Sequence, residues 1–533
     1  MKYKFWTIRL FFTAFFIVLI AQIYSIQINK GDYYAQKVQA QEGINDSFKL
    51  SRGVIYFTDK NNNPTPAVLN KDYAVIYSVP KEIKDPLTTS RLLAPILELD
   101  ETGIEKLLSK SNDLYELLLE KADSSQVNQI KSLNLKGIYI RNESFRYYPF
   151  GRMASHFLGF ISSSQDGSLT GKYGLELQFN EKLKGTPSKN GDSLYTTIDR
   201  SIQSESEKTI AKLMEEWQAD SAGIIVQDPY SGKILAMASL PDFDPNQYNL
   251  YNIKDFINPL VQLIYEPGSV FKPLTMSAGI DSGKITPQTT YTDTGFVTLN
   301  KRTIRNWDLK SYGLQTMTNV LERSLNTGSI FAERTTGHQI FYDYVKKFGL
   351  GEKTGISLPG EIKGSTKTLD GGKDINYATA SFGQGISATP LQMISAFSAI
   401  ANGGVLMKPL ILQDEQPKAI QRVMSPETSK KVAQMMVSAV DVNILAHINQ
   451  YNVAGKTGTA FIPDFNKGGY TDNVINTYIG FAPAFNPRFT ILVKLENPSG
   501  APLAGQTVVP AFKKMSEFLL NYYGIAPDRE TTQ

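Results

Sequence analysis

The chain has 533 residues, is 41% hydrophobic and 20% charged, and carries a formal net charge of +4. Its length calls for roughly two to four domains and its composition is that of a globular protein. The lack of cysteine excludes a thiol nucleophile, disulfides and cysteine-ligated zinc; three histidines argue against a histidine metal site, and no long Lys/Arg run marks a nucleic-acid surface.

The first element in chain order is residues 10–28, apolar except for Thr13, Gln22, Ser25 and Gln27. That is close to the roughly 20 residues a helix needs to span a bilayer. Lys2, Lys4 and Arg9 flank its start, which puts the first residues in the cytoplasm and the rest outside. A cleaved signal peptide competes with this reading, but the stretch is long for one and no A-x-A site follows. The expectation is an uncleaved, single-pass anchor in the cytoplasmic membrane with an extracytoplasmic body.

Residues 29–191 mix extended and helical runs: 54–57 and 74–77 read as strands, and 104–122 has helical spacing. The polar stretch 184–191 reads as a linker. Asp199 is placed to N-cap a helix running to about Trp217. Residues 222–227 and 234–239 form a hairpin about Pro229-Tyr230-Ser231-Gly232. Residues 476–481 and 489–495 read as two further strands and 508–523 as a closing helix. Strands at both ends with helices between them predict an α+β domain whose sheet joins its N- and C-terminal segments.

Three short strings carry chemistry: Ser269-Val270-Phe271-Lys272, Ser324-Leu325-Asn326 and Lys456-Thr457-Gly458-Thr459. A serine nucleophile needs a base, a group to pass the proton on, and donors for the oxyanion. Ser and Lys at i and i+3 share a helix face. Gly268 permits a sharp turn into that helix, and Pro273 is tolerable in its first turn. Each string has a decoy: Ser78-Val79-Pro80-Lys81, Ser132-Leu133-Asn134 and Lys353-Thr354-Gly355. Ser78 ends a strand-like run and Pro80 favours an extended Val79. Ser132 caps or flanks a helical pattern, and Lys353 follows a glycine-punctuated, exposed connection.

The trio resembles the S-x-x-K, S-x-N and K-T-G set of penicillin-binding proteins and serine β-lactamases. The flanking words narrow the resemblance to class B penicillin-binding proteins: Tyr265-Glu266-Pro267-Gly268, Arg305-Asn306-Trp307-Asp308, Ala454-Gly455, Arg52-Gly53, and Arg146-Tyr147-Tyr148-Pro149-Phe150-Gly151 with Ala154-Ser155-His156 following. The resemblance implies the anchor with a short cytoplasmic tip at 1–28, a non-catalytic pedestal of dimerisation type at 29–191, a penicillin-recognising transpeptidase domain of helices around an antiparallel sheet at 192–525, and a tail at 526–533. Arg52, Arg146 and Glu176 in the pedestal are read as members of structural ion pairs.

The resemblance also implies roles. Ser269 is the nucleophile and Lys272 the general base, its pKa lowered by burial or by a neighbouring cation such as Lys456. Ser324 relays the proton, Asn326 orients Lys272 and the substrate amide, and the Ser269 and Thr459 N–H groups form the oxyanion hole. Thr457 and Thr459, with Gly458 between them and Lys456 ahead, bind the substrate carboxylate. The implied activity is a peptidoglycan D,D-transpeptidase that cross-links stem peptides, is inhibited by β-lactams and works in division or elongation without metal or cofactor. Its implied partners are stem peptides, β-lactams, the membrane, a membrane glycan polymerase and other cell-wall machinery. The competing functions are a D,D-carboxypeptidase or β-lactamase using the same serine, a β-lactam sensor, and a catalytically idle division scaffold.

Overall fold

The computed structural model describes residues 13, 15–20, 22, 24, 52–164, 169–185, 189–464, 467–500 and 503–529. The expected membrane segment 10–28 thus lies largely outside the described residues; its described positions are helical and exposed. Among the described residues no helix is long and apolar enough to cross a membrane.

Contacts divide the chain into two units: one holds Asn70–Tyr147 with Gly185–Asn190 and the chain up to Arg52, the other Gly53–Leu69, Tyr148–Lys184 and Gly191–Gln533. The long stretch of the second unit begins at Gly191, and 53–69 and 148–184 join it through backbone pairing. Strand Ile55–Thr58 pairs in parallel with Leu194–Asp199, and the Gly53 amide bonds the Leu183 carbonyl at 2.8 Å.

In the first unit the strand Pro64–Ser78, from residue 70 onward, is flanked by Glu116–Ala122 and Ile138–Tyr147. Helices Pro86–Leu97, Glu101–Leu108 and Ser124–Leu133 supply Leu93, Leu97, Ile104, Leu108 and Ile130 to its core, which also holds Ile76 and Leu118. The expected helix over 104–122 is corrected here. The helix ends at Leu108, Ser109 to Asp113 turn the chain, and Glu116–Ala122 is a strand in register with Ala74 to Ser78. The leucines at 117–119 have good helix propensity, but unpaired backbone groups on the neighbouring strand outcompete it. Arg146 is buried and donates to Asn70 Oδ1 at 2.9 Å.

The second unit is built on a five-stranded antiparallel sheet in the order Ala454–Pro463, Tyr470–Ala482, Phe489–Glu496, Ser221–Gln227, Ile234–Leu240. The predicted hairpin and the two late strands are thus neighbours, drawn from both ends of the domain. Alternation sorts their side chains: Ile224, Val226, Ile491, Val493 and Leu495 face one core, and Ile225, Leu492, Ile479 and Phe481 the other. On the first side lie helix Arg200–Trp217, capped by Asp199 through Ser201 and Ile202 amides, and the closing helix Val508–Tyr522. The second side is covered by helices including Lys272–Asp281 and Pro390–Ala401. All twelve residues of the latter are buried, and its start is fixed by Pro390 in the first turn and a Thr389–Gln392 capping box.

Candidate active site

Gly268 has φ of +62°, a conformation glycine adopts without strain, and its amide bonds the Gly383 carbonyl at 3.0 Å. From it a 3-10 turn, Gly268–Phe271, runs into helix Lys272–Asp281 with Pro273 in the first turn. Side chains three apart are nearly eclipsed in 3-10 geometry, so Ser269 and Lys272 fall on one side. Ser269 is half-buried at the start of this segment, where unpaired N–H groups favour negative charge. Lys272 is fully buried.

Ser324-Leu325-Asn326 is the joint between helices Met317–Arg323 and Asn326–Thr336. Ser324 takes the left-handed conformation, φ 56° and ψ 45°, and Leu325 is buried beneath it. For a residue with a Cβ that conformation costs on the order of 1 kcal/mol or more. It turns the hydroxyl and carbonyl of Ser324 toward Lys272, whose Nζ lies 2.6 Å from Ser324 O, 3.2 Å from Ser324 Oγ and 3.0 Å from Asn326 Oδ1. Among the described residues no hydrogen bond links Lys272 Nζ to Ser269 Oγ; such catalytic contacts commonly tighten when substrate binds.

Lys456-Thr457-Gly458-Thr459 lies on the edge strand of the sheet. A Cβ on Gly458 would stand 3.0 Å from the Pro267 carbonyl and 3.1 Å from the Val270 amide, so glycine here lets the strand lie against the serine turn. Lys456 is buried, and its Nζ donates to Ser324 Oγ at 3.0 Å and approaches Thr457 O and Oγ1 at 3.1 and 3.3 Å. Thr459 Oγ1 accepts from the Ala504 amide at 3.1 Å, leaving its own proton to donate.

The Ser324 hydroxyl is therefore shared by two lysines. Burial is the main cause that pulls Lys272 well below its ordinary pKa, and the Lys456 cation adds to it. Burial likewise lowers Lys456 to about 7. Two ammonium groups facing one hydroxyl cannot both keep their protons cheaply. The favoured state is a neutral Lys272 beside a charged Lys456, with Ser324 able to pass a proton between them. Such an arrangement can deprotonate a serine and reprotonate a leaving amine. Among the described residues no group of three or more histidine, aspartate and glutamate side chains is placed to hold a metal ion.

All eight predicted site residues belong to these three segments, and the decoys stay outside them. Ser78 is buried at the end of its strand and donates to Glu116 O at 3.4 Å. Ser132 sits in the last turn of its helix and donates to Gln129 O, while Asn134 is the C-cap. Lys353 is exposed, and the Thr354 and Gly355 amides after it are held by the Glu361 carboxylate.

Sequence reasoning missed two supports. Glu266 accepts from the Gly385 amide at 3.1 Å and the Tyr470 hydroxyl at 2.9 Å, tying the serine turn to two neighbouring loops. The Arg305 carbonyl takes the Asn326 amide at 2.9 Å. The flanking words containing Glu266 and Arg305 were the available signal, but they name no partner.

Residues 222–517 match the family described as penicillin binding protein transpeptidase domain, and residues 49–212 match the penicillin-binding protein dimerisation domain. Stage V sporulation protein D of Bacillus subtilis (strain 168) is 31% identical, covering 94% of this chain and 82% of that protein. The peptidoglycan D,D-transpeptidase FtsI of Escherichia coli (strain K12) is 28% identical over 95% of this chain and 88% of its own length. Among solved structures, a peptidoglycan synthetase from Bifidobacterium adolescentis superposes with a TM-score of 0.69 at 25% identity, covering 91% of this chain and 97% of that one. Penicillin binding protein 3 from Mycobacterium tuberculosis superposes with a TM-score of 0.66 at 30% identity, covering 73% and 94%. With Lys272 and Lys456 both buried against the Ser324 hydroxyl and both domains matched, the chain belongs to the class B penicillin-binding proteins, the monofunctional peptidoglycan D,D-transpeptidases.

Proposed function

We propose that Ser269 is the nucleophile of this transpeptidase and that Lys272, neutral in the free enzyme, takes its proton. The serine oxygen attacks the carbonyl of the penultimate D-alanine of a stem peptide. The oxyanion is held by the Ser269 and Thr459 N–H groups; losing one such donor typically costs roughly 2.7–4 kcal/mol. Ser324 then carries a proton from the lysines to the leaving nitrogen, the C–N bond breaks, and terminal D-alanine departs. The amine of a second stem attacks the ester, gives up its proton through the same relay, and leaves a cross-link with Ser269 restored. Lys456, Thr457 and Thr459 hold the terminal carboxylate of the donor stem, and Asn326 orients Lys272 and the substrate amide.

The observation that carries this reading is the single Ser324 hydroxyl, 3.2 Å from Lys272 Nζ and 3.0 Å from Lys456 Nζ, with Lys272 three residues along the chain from the proposed nucleophile. β-Lactams fit the same scheme as acylating agents whose leaving group stays tethered. In the proposed setting, 10–28 anchors the chain in the cytoplasmic membrane with the catalytic domain outside, where a membrane glycan polymerase supplies uncross-linked strands for septation or elongation. The test is mass spectrometry of products made from lipid-linked precursor by the protein together with a polymerase. Cross-linked dimers with released D-alanine are expected. Trimmed but uncross-linked stems would make it a carboxypeptidase.

A further inference from the structure

Behind the Ser324-Leu325-Asn326 joint lies a buried polar cluster that the catalytic scheme does not use. Asp293, at the end of strand Thr290–Asp293, is 2% exposed. Its carboxylate accepts from Thr327 Oγ1 at 2.7 Å, the Gly295 amide at 3.0 Å, the Tyr312 amide at 2.9 Å, and Asn306 Nδ2 at 3.0 and 3.1 Å. Asn306, itself 1% exposed, points its oxygen the other way, toward the Thr327 amide at 3.3 Å. The Tyr291 hydroxyl completes the set, 3.1 Å from Thr327 Oγ1.

Thr327 Oγ–H lies 2.7 Å from the carboxylate and 3.2 Å from Asn306 Oδ1, and donates in either case, so Tyr291 donates to Thr327. Asn306 has acceptors at its nitrogen and a donor at its oxygen, which fixes the direction of its amide. A buried carboxylate binds its donors strongly because it is charged. Thr327 follows Asn326, and Arg305 precedes Asn306. Two successive residues opening helix Asn326–Thr336 are thus pinned to two successive residues ending strand Arg302–Arg305 and the turn after it.

We propose that Asp293, Asn306 and Thr327 are positioning residues for the transfer: they hold the Asn326 amide with its nitrogen on Arg305 O and its oxygen on Lys272 Nζ, and so keep the amine aimed for proton abstraction. Among the described residues the Nζ bonds of Lys272 are all to Ser324 and Asn326, both on the joint that this cluster anchors. Releasing the joint frees the amine to rotate away from Ser269 while the substrate cleft on the sheet edge stays as it is. The inference rests on Lys272 being the base.

The test uses the full chain and one chromogenic or fluorescent β-lactam, separating the acylation rate constant from the non-covalent dissociation constant. Thr327→Val keeps the shape and removes the hydroxyl, and is expected to slow acylation by about ten- to a hundredfold, the usual cost of a small misplacement. The dissociation constant should move little, while the melting temperature falls because the buried Asp293 carboxylate loses a donor and the Tyr291 hydroxyl an acceptor. Thr327→Ser, which restores the hydroxyl, should recover most of the lost rate. Asp293→Asn, which sets an amide among amide donors, should lose at least as much as Thr327→Val. A merely structural role would lower the melting temperature in the same way but leave the folded fraction acylating at the original rate. That result, or equal rates for Thr327→Val and Thr327→Ser, overturns the inference. If the unaltered protein is not acylated at Ser269, the proposed function fails first, and the two failures are told apart by that control.

Discussion

In the proposed mechanism the two lysines facing Ser324 set the chemistry, and their charges give predictions at the scale of single residues. Under that mechanism, acylation needs Lys272 neutral and Lys456 charged. Its rate should therefore rise with pH as Lys272, held below its ordinary range, loses its proton, and fall again near about 7 as Lys456 does. In Lys456→Arg the guanidinium stays charged, so the falling limb should vanish when second-order acylation constants are measured between about pH 5 and pH 9. Stability carries the same signature with a definite sign. Between about pH 7, where folded Lys456 titrates, and the ordinary lysine value, the unfolded chain holds protons that the folded chain lacks. Unfolding free energy should rise with pH across that window. The two K-T-G strings also separate cleanly. Lys456→Ala removes a buried cation from the relay and should slow acylation by about a hundredfold or more. Lys353→Ala, on an exposed loop, should leave acylation unchanged and stability within about 0.5 kcal/mol. The three strings proposed to react are legible in the sequence through their spacing and flanking words, and the structure brings Lys272, Ser324, Asn326 and Lys456 together. The left-handed turn at Ser324 is not legible there, since nothing in Ser-Leu-Asn requires it; the two helix ends that meet there impose it.

At the scale of elements, the approach of the edge strand to the serine turn depends on Gly458. Gly458→Ala sets a methyl against the Pro267 carbonyl and Val270 amide, neither of which can rotate away. Overpacking of this kind costs about 1–3 kcal/mol, and here the strain should also slow acylation, because the strand that yields carries Lys456 and Thr459. Thr389→Ala is the contrasting change. It removes a helix cap for about 1 kcal/mol, and the folded protein should acylate normally. Denaturant titration with acylation rates on the same samples checks both. Local signals explain which elements sequence reasoning finds. Asp199 capping the helix to Trp217, the hairpin around Pro229 to Gly232, and the closing helix are all set by local chemistry. The strand Glu116–Ala122 is set by a partner forty residues away in sequence, and apolar spacing within it carries no trace of that pairing.

For the whole molecule, the sheet that presents Lys456 is closed by strands from residues 221–240 and 470–496, so the catalytic unit forms only when both ends of its sequence meet. That closure was legible because strand-like runs stand at both ends of the domain with helical stretches between them. The return of 53–69 and 148–184 to the catalytic unit was not, because parallel pairing of Ile55 with Leu194 joins segments without any local signal. The proposed anchor adds a prediction at this scale: protease added to intact spheroplasts should digest nearly everything beyond residue 28, and a protected C-terminus would contradict the topology. The most direct test of the central claim is to treat the full chain with a labelled penicillin, digest it and locate the adduct by mass spectrometry. The account predicts one stoichiometric acyl group on Ser269, lost in Ser269→Ala with the fold intact; label on Ser78 or elsewhere, or label that survives Ser269→Ala, contradicts it.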